Sequence, residues 1–238
     1  MRLPITTEQF LAEYWQQQPL FCPQALPHFQ SPITAEELAG LAMESDIDSR
    51  MVWQDSGVWH QQAGPFAEHA FQGEMPWTLL VQGVDRHHAG VSTVRNTLPP
   101  LPCWRFDDVM VSFATDHAGV GPHFDRYDVF LLQGTGRREW RIGPHCGDET
   151  PQLKENGLNL IPPFEPAETY VLEPGDVLYV PPSVAHWGVA LGEGITYSLG
   201  FRAPSVGDLV ARRTDAALEL ISTTSLLEDG ASLRNPSR

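Results

Sequence analysis

At 238 residues, 42% of them apolar and 19% charged, the chain can form one large β-rich domain, or a domain with an extension, without a disulfide staple. A net charge of -15 repels nucleic-acid phosphates and favours basic partners, a basic protein substrate among them, though solubility alone accounts for it equally well. Cys22, Cys103 and Cys146 are odd in number and lack paired spacing, which favours a reducing compartment. MRLPITTEQF is no signal peptide and no run approaches the ~20 apolar residues of a membrane span, so the expected location is cytoplasmic.

TTEQFLAEYWQQQP predicts an amphipathic helix over residues 6–19, capped by Thr6 or Thr7, with Phe10, Leu11, Tyr14 and Trp15 as its apolar stripe and Pro19 as its stop. SPITAEELAGLAMES predicts a second helix, capped by Ser31 or Thr34, with Leu38, Leu41 and Ala42 on one face. Met51–Trp53 and Val58–Gln61 read as hairpin strands, whereas Trp77–Gln82 fits a strand or a short helix. From Asp107 onward strand-like runs recur between Gly and Pro: DDVMVSF, DVFLLQG, REWRIG, ETYVLEPGDVLYVPP, HWGVAL and ITYSLGF. This pattern predicts a sandwich or barrel of the jelly-roll and cupin class. Residues 206–227 read as helical, with Leu209, Val210, Ala217, Leu220 and Ile221 as packing residues, and EDGASLRNPSR reads as a frayed tail.

The chemistry concentrates in GVGPHFDRYDVFLLQGTGRREW. On a strand, His123 and Asp125 point to the same face. His186, just past the double proline of GDVLYVPPSVAHWGV, supplies a third ligand where a late strand returns beside the first. Two histidines and one carboxylate with coordination positions left open are the ligand set of non-haem Fe(II) oxygenases. In GRREWR, parity sets Arg138 and Trp140 on one face and Arg137, Glu139 and Arg141 on the other. A buried guanidinium needs an anion, and its planar fork suits a small dicarboxylate. A parity error at a strand end, with Arg138 merely solvated, is the competing reading.

GVGPHFDRYDVFLLQGTGRREWRIG, EPGDVLYVPPSVAHWGVAL and YSLGFRAPS resemble the JmjC-type bacterial ribosomal oxygenases, and among them the arginine hydroxylases of a large-subunit ribosomal protein. The resemblance extends upstream through ELAGLAMESDIDSR and WRFDDVMVSF. It implies a mainly β double-stranded β-helix of the cupin/JmjC jelly-roll type, with N-terminal helices and a short C-terminal helical segment. It further implies an Fe(II)- and 2-oxoglutarate-dependent dioxygenase that uses O2 to hydroxylate an arginine β-carbon. Carried across, His123, Asp125 and His186 are the iron ligands and Arg138 binds 2-oxoglutarate. Asp108, Met110 and Ser198 then line the substrate pocket, Asp108 pairing the guanidinium and Met110 packing along its stem.

The expected organisation is an N-terminal extension of helices and a hairpin over 1–90, a catalytic core over 91–204, and over 205–238 the start of a helical dimerisation region with its tail. The resemblance implies a homodimer, which a chain ending at Arg238 is expected to form weakly or not at all. It implies a basic ribosomal protein as substrate, with neither nucleic acid nor membrane as partner. Two alternatives stay open: the same chemistry on a histidine or a non-ribosomal protein, and a non-catalytic cupin that binds basic proteins.

Overall fold

The structure, a computed structural model, describes residues 1–203 and 206–220. Its strands are β1 (Leu20–Cys22), β2 (Ser49–Asp55), β3 (Val58–Ala63), β4 (Trp77–Val81), β5 (Phe106–Ala114), β6 (Asp128–His145), β7 (Leu153–Glu155), β8 (Leu158–Leu160), β9 (Glu168–Leu172), β10 (Val177–Val180) and β11 (Val184–Phe201). Residues 1–202 form one compact unit and 203–238 a second.

Two long strands carry the architecture. β6 and β11 are 18 residues each and pair antiparallel from Asp128–Phe201 at one end to His145–Val184 at the other. The sequence predicts four strands here, because glycines interrupt each run near its middle, Gly134 and Gly136 in one and Gly192 and Gly194 in the other. Those interruptions are corners of continuous strands. Gly136 has φ +64°, and a Cβ there would collide with the Glu193 carbonyl, while the β6–β11 register shifts between Leu191 and Ile195. Beyond the corner the strands double back, so Val129 and Leu131 share a core with Trp140 and Ile142 of the same strand.

The first half of β6 therefore lies between β10 and β11, and its second half between β9 and β11. The far half of β11 continues through β5, β4 and β2 to the edge strand β3. Its near half is flanked by the segment 119–123 through the bridges Gly119–Val189 and His123–His186. This is the expected double-stranded β-helix. β10 is buried on both faces, Val177 and Tyr179 facing one core and Leu178 and Val180 the other. The ambiguous Trp77–Gln82 segment is the strand β4, buried along its whole length.

The N-terminal segment seals the outer core. Thr6 Oγ1 accepts the Gln9 N–H at 3.1 Å, as predicted for a cap. The helix then widens into a π-turn over Phe10–Tyr14, closed by Trp15 N–H donating to the Phe10 carbonyl at 2.9 Å. That extra residue per turn rotates the predicted stripe: Phe10 is buried and Leu11 is 40% exposed. Helix α1 (Ala35–Ala42) has the expected cap at Thr34, as a capping box with Glu37. At the floor of this layer Asp128, fully buried, accepts from Arg105 at 2.8 Å and from the Tyr179 hydroxyl at 2.5 Å. Helix α2 is the six-residue Ala89–Val94 segment.

In the second unit, helix α3 spans Val206–Leu220. Leu209 and Val210, expected as packing residues, are exposed there, as is Ala217. The Leu220 side chain, Ile221 and the tail from 221 onward lie outside the described residues. Among the described residues no helix is long and apolar enough to cross a membrane.

Candidate metal centre

His123 and His186 face each other across a hydrogen-bonded antiparallel bridge. His123 N–H donates to the His186 carbonyl at 3.1 Å, and His186 N–H to the His123 carbonyl at 2.8 Å. Side chains of such a pair leave on the same side, and the two ring centroids are 4.3 Å apart. The expectation of a regular strand through His123 and Asp125 is corrected in detail: one bridge residue is followed by an irregular segment. That segment is pinned by the Ser183 N–H, which donates to the Asp125 carbonyl at 2.6 Å. The start of β11 thus fastens both ends of the H-x-D run.

The side chains converge accordingly. Asp125 Oδ2 lies 3.6 Å from His186 Nε2, and one ligand atom from each of His123, Asp125 and His186 falls within 4.8 Å of the others. Each imidazole is set by a backbone carbonyl two residues before it. His123 Nδ1 is 2.9 Å from the Gly121 carbonyl, and His186 Nδ1 2.9 Å from that of Val184. Donation from Nδ1 leaves both Nε2 lone pairs for a metal, the usual outer-shell arrangement around a ligating histidine. Burial holds the His186 pKa down at about 4, with His123 beside it adding to the depression and Asp125 opposing it. The imidazole is therefore neutral and ready to ligate. The donor set suits a divalent transition metal with open positions.

Arg138 sits inside the barrel, 4% exposed, with its guanidinium 5.2 Å from the Trp140 ring. Arg137 is exposed on the opposite face, so the parity argument holds. Arg138 Nη1 donates to the hydroxyls of Ser112 and Thr196, both at 3.3 Å, and its buried Nε has no partner among the described residues. Among the described residues no carboxylate lies within ion-pair distance of it. Burial lowers its pKa to about 10, which still leaves it charged at neutral pH. A buried, charged, half-satisfied guanidinium is a receptor for an anion.

A cavity of about 270 Å³ joins Arg138 to His123, Asp125 and His186. Met110 and Ser198 lie on its wall. Asp108 does not. It is 5% exposed, on the same face of β5 as Met110, and its Oδ2 accepts from Gln82 Nε2 at 2.7 Å and from Gly83 N–H at 2.8 Å. Burial raises the Asp108 pKa, and those two hydrogen bonds oppose the rise. Gln82 is the polar group that reaches the cavity in its place.

Several lining residues escape a reading of the sequence. Tyr127 lines the cavity two residues past Asp125, and only its H-x-D-x-Y spacing marks it. Arg50 and Gln61 come from β2 and β3, remote in sequence. Gly157–Leu160 come from the β7–β8 hairpin, whose Asn156-Gly157 turn, with both φ positive, is a strong hairpin signal.

Comparison with known proteins agrees with this geometry. Residues 94–209 match the JmjC domain family. The segment is a JmjC domain. Within its bounds fall all three candidate ligands and Arg138. Over 222 residues the chain is 42% identical to the ribosomal protein uL16 3-hydroxylase of Escherichia coli, covering 92% of this chain and 58% of that protein. It is 35% identical over 210 residues to a probable ribosomal oxygenase of Haemophilus influenzae, covering 87% and 52%. The solved structure of E. coli YcfD superimposes with a TM-score of 0.88 at 41% identity, covering 96% of this chain and 61% of that one. An E. coli ribosomal oxygenase solved in complex with cobalt and 2-oxoglutarate gives 0.84 at 40% identity, covering 96% and 60%. The chain with this JmjC domain spans between half and two thirds of the length of those relatives.

Proposed function

We propose that this protein is an Fe(II)- and 2-oxoglutarate-dependent oxygenase that hydroxylates the β-carbon of an arginine in a large-subunit ribosomal protein. The observation that carries this is a single one. The His123–Asp125–His186 triad and the charged Arg138, whose buried Nε has no partner among the described residues, open on one cavity. Similarity to proteins named as ribosomal oxygenases, one of them solved with cobalt and 2-oxoglutarate, supports the same reading. On that reading the protein works in the cytoplasm, where its acidic surface favours a basic ribosomal protein over nucleic acid.

Iron(II) held by the triad, with 2-oxoglutarate and O2, supplies the oxidising chemistry: the 2-oxo acid becomes succinate and carbon dioxide, and one oxygen atom enters a C–H bond. The chain's own residues bind and orient. Nδ1 donation to Gly121 and Val184 keeps both imidazoles facing inward. Arg138 takes the distal carboxylate of the co-substrate, with the Ser112 and Thr196 hydroxyls holding the guanidinium in place. The substrate arginine enters between Met110 and Ser198, its methylene stem along Met110. Its guanidinium meets the Gln82 carboxamide first, and reaches Asp108 only by displacing that amide.

The test is incubation with Fe(II), 2-oxoglutarate and isolated large-subunit ribosomal proteins, followed by mass spectrometry. One oxygen gained on an arginine supports the proposal. Oxygen gained on a histidine would keep the chemistry and overturn the substrate, and absence of succinate under all conditions would overturn the enzyme.

A further inference from the structure

The β7–β8 hairpin spans from the outer edge of the large sheet to the turn that presents His123. At its outer end Glu155 Oε2 accepts the Trp59 N–H at 3.0 Å, and Asn156 Nδ2 donates to the Trp59 carbonyl at 2.8 Å. Trp59 lies on β3, where outward main-chain groups have no neighbouring strand among the described residues. Two consecutive hairpin side chains take both of them. At its inner end Ile161 N–H donates to the Pro122 carbonyl at 2.9 Å. Leu160 and the Trp59 indole also enclose Gly121: a Cβ there would lie 3.0 Å from Leu160 Cδ2 and 3.1 Å from Trp59 Cε2. Gly121, at φ +82°, is the residue whose carbonyl faces His123 Nδ1.

An unbroken set of contacts therefore runs from Trp59 through the hairpin to one imidazole of the triad. We propose that Glu155 and Asn156 are positioning residues for the metal centre. They latch the hairpin to Trp59, and the latched hairpin clamps the Gly121–Pro122 turn that orients His123. Because Gly157–Leu160 also line the cavity, substrate pressing on this wall acts on the same turn. The inference rests on the metal site proposed above.

The test is Co(II) titration of the full chain, read by visible absorption, with hydrogen exchange at the Ile161 amide as a second readout. The Glu155→Ala/Asn156→Ala double variant is expected to bind Co(II) roughly tenfold more weakly, as outer-shell changes do. It should also show a shifted spectrum and faster exchange. Glu155→Gln keeps an acceptor for Trp59 and should restore wild-type behaviour. Lys154→Ala, on the same hairpin, serves as the unaffected control. Leu160→Ala removes the side-chain packing on Gly121, leaves the outer latch in place and should reproduce the spectral shift. A wild-type spectrum and affinity in both the double variant and Leu160→Ala, while His186→Ala loses Co(II), would overturn the latch and leave the metal site standing. Retention of Co(II) at full affinity by His186→Ala would overturn both.

Discussion

Gly188 on β11 pairs with Trp140 on β6, and a Cβ there would lie 2.8 Å from the indole ring and 2.9 Å from Arg138 Nε. The absent side chain is what lets the guanidinium and the indole share one slot. Gly188→Ala should therefore destabilise the barrel by about 1–3 kcal/mol, the usual cost of overpacking. It should weaken 2-oxoglutarate binding more than metal binding, since the collision falls on Arg138 and not on the triad. Thermal unfolding together with separate metal and 2-oxoglutarate titrations would show this order.

Arg138→Lys keeps a cation but loses the fork. Charge-assisted hydrogen bonds contribute roughly 1.5–3 kcal/mol, so 2-oxoglutarate affinity should fall about 10- to 150-fold. The guanidinium is charged below its lowered pKa of about 10, and its burial is a standing cost that an anion relieves. The sign follows directly. A base with a depressed folded pKa destabilises the fold while charged, so in the unliganded protein this cost is full at neutral pH and fades above pH 10. Wild-type protein saturated at ~100 times the dissociation constant should gain ~2.7 kcal/mol of stability at neutral pH, and Arg138→Lys far less at the same concentration. Equal thermal stabilisation of the two would place the carboxylate elsewhere.

The triad and Arg138 were legible because parity and spacing act over a few residues. Other features were not. The corner at Gly136 looks in sequence like a turn between two strands, and only the doubling-back of β6 on itself distinguishes the cases. The π-turn at Phe10–Tyr14 is imposed by packing of Phe10 and Trp15 against Tyr179, over 160 residues away in the chain, and leaves no local signature. Asp108 was legible as a strand residue but not as one already engaged, because its partner Gln82 comes from the end of a different strand. The cavity wall made by Gly157–Leu160 was signalled by its Asn-Gly turn, yet a hairpin's docking place is a tertiary fact.

Arg105 and Asp128 form a buried ion pair at 2.8 Å that ties the Trp15 layer to the barrel, since the same guanidinium lies 5.0 Å from the Trp15 ring. Arg105→Ala leaves Asp128 buried without its cation and should cost about 3–5 kcal/mol at neutral pH. Burial already raises the Asp128 pKa, with Tyr179 and Arg105 opposing. Losing Arg105 raises it further. A carboxyl whose folded pKa exceeds its unfolded value stabilises the fold when protonated, and that contribution is lost as pH rises through the folded value. The penalty of Arg105→Ala should accordingly shrink toward acid pH and grow toward neutral. Denaturant unfolding at a series of pH values measures it, and a penalty that grows toward acid would refute the assignment.

The central claim is that His123, Asp125 and His186 hold one catalytic metal beside Arg138. The most direct measurement is Fe(II) stoichiometry and 2-oxoglutarate-to-succinate turnover in the wild type and in the three single alanine variants, with folding checked by circular dichroism. The account predicts one metal per chain and turnover in the wild type. In each variant it predicts metal binding weakened at least about tenfold and turnover lost, with the fold intact. Full metal occupancy and undiminished succinate formation in any folded triad variant would contradict it.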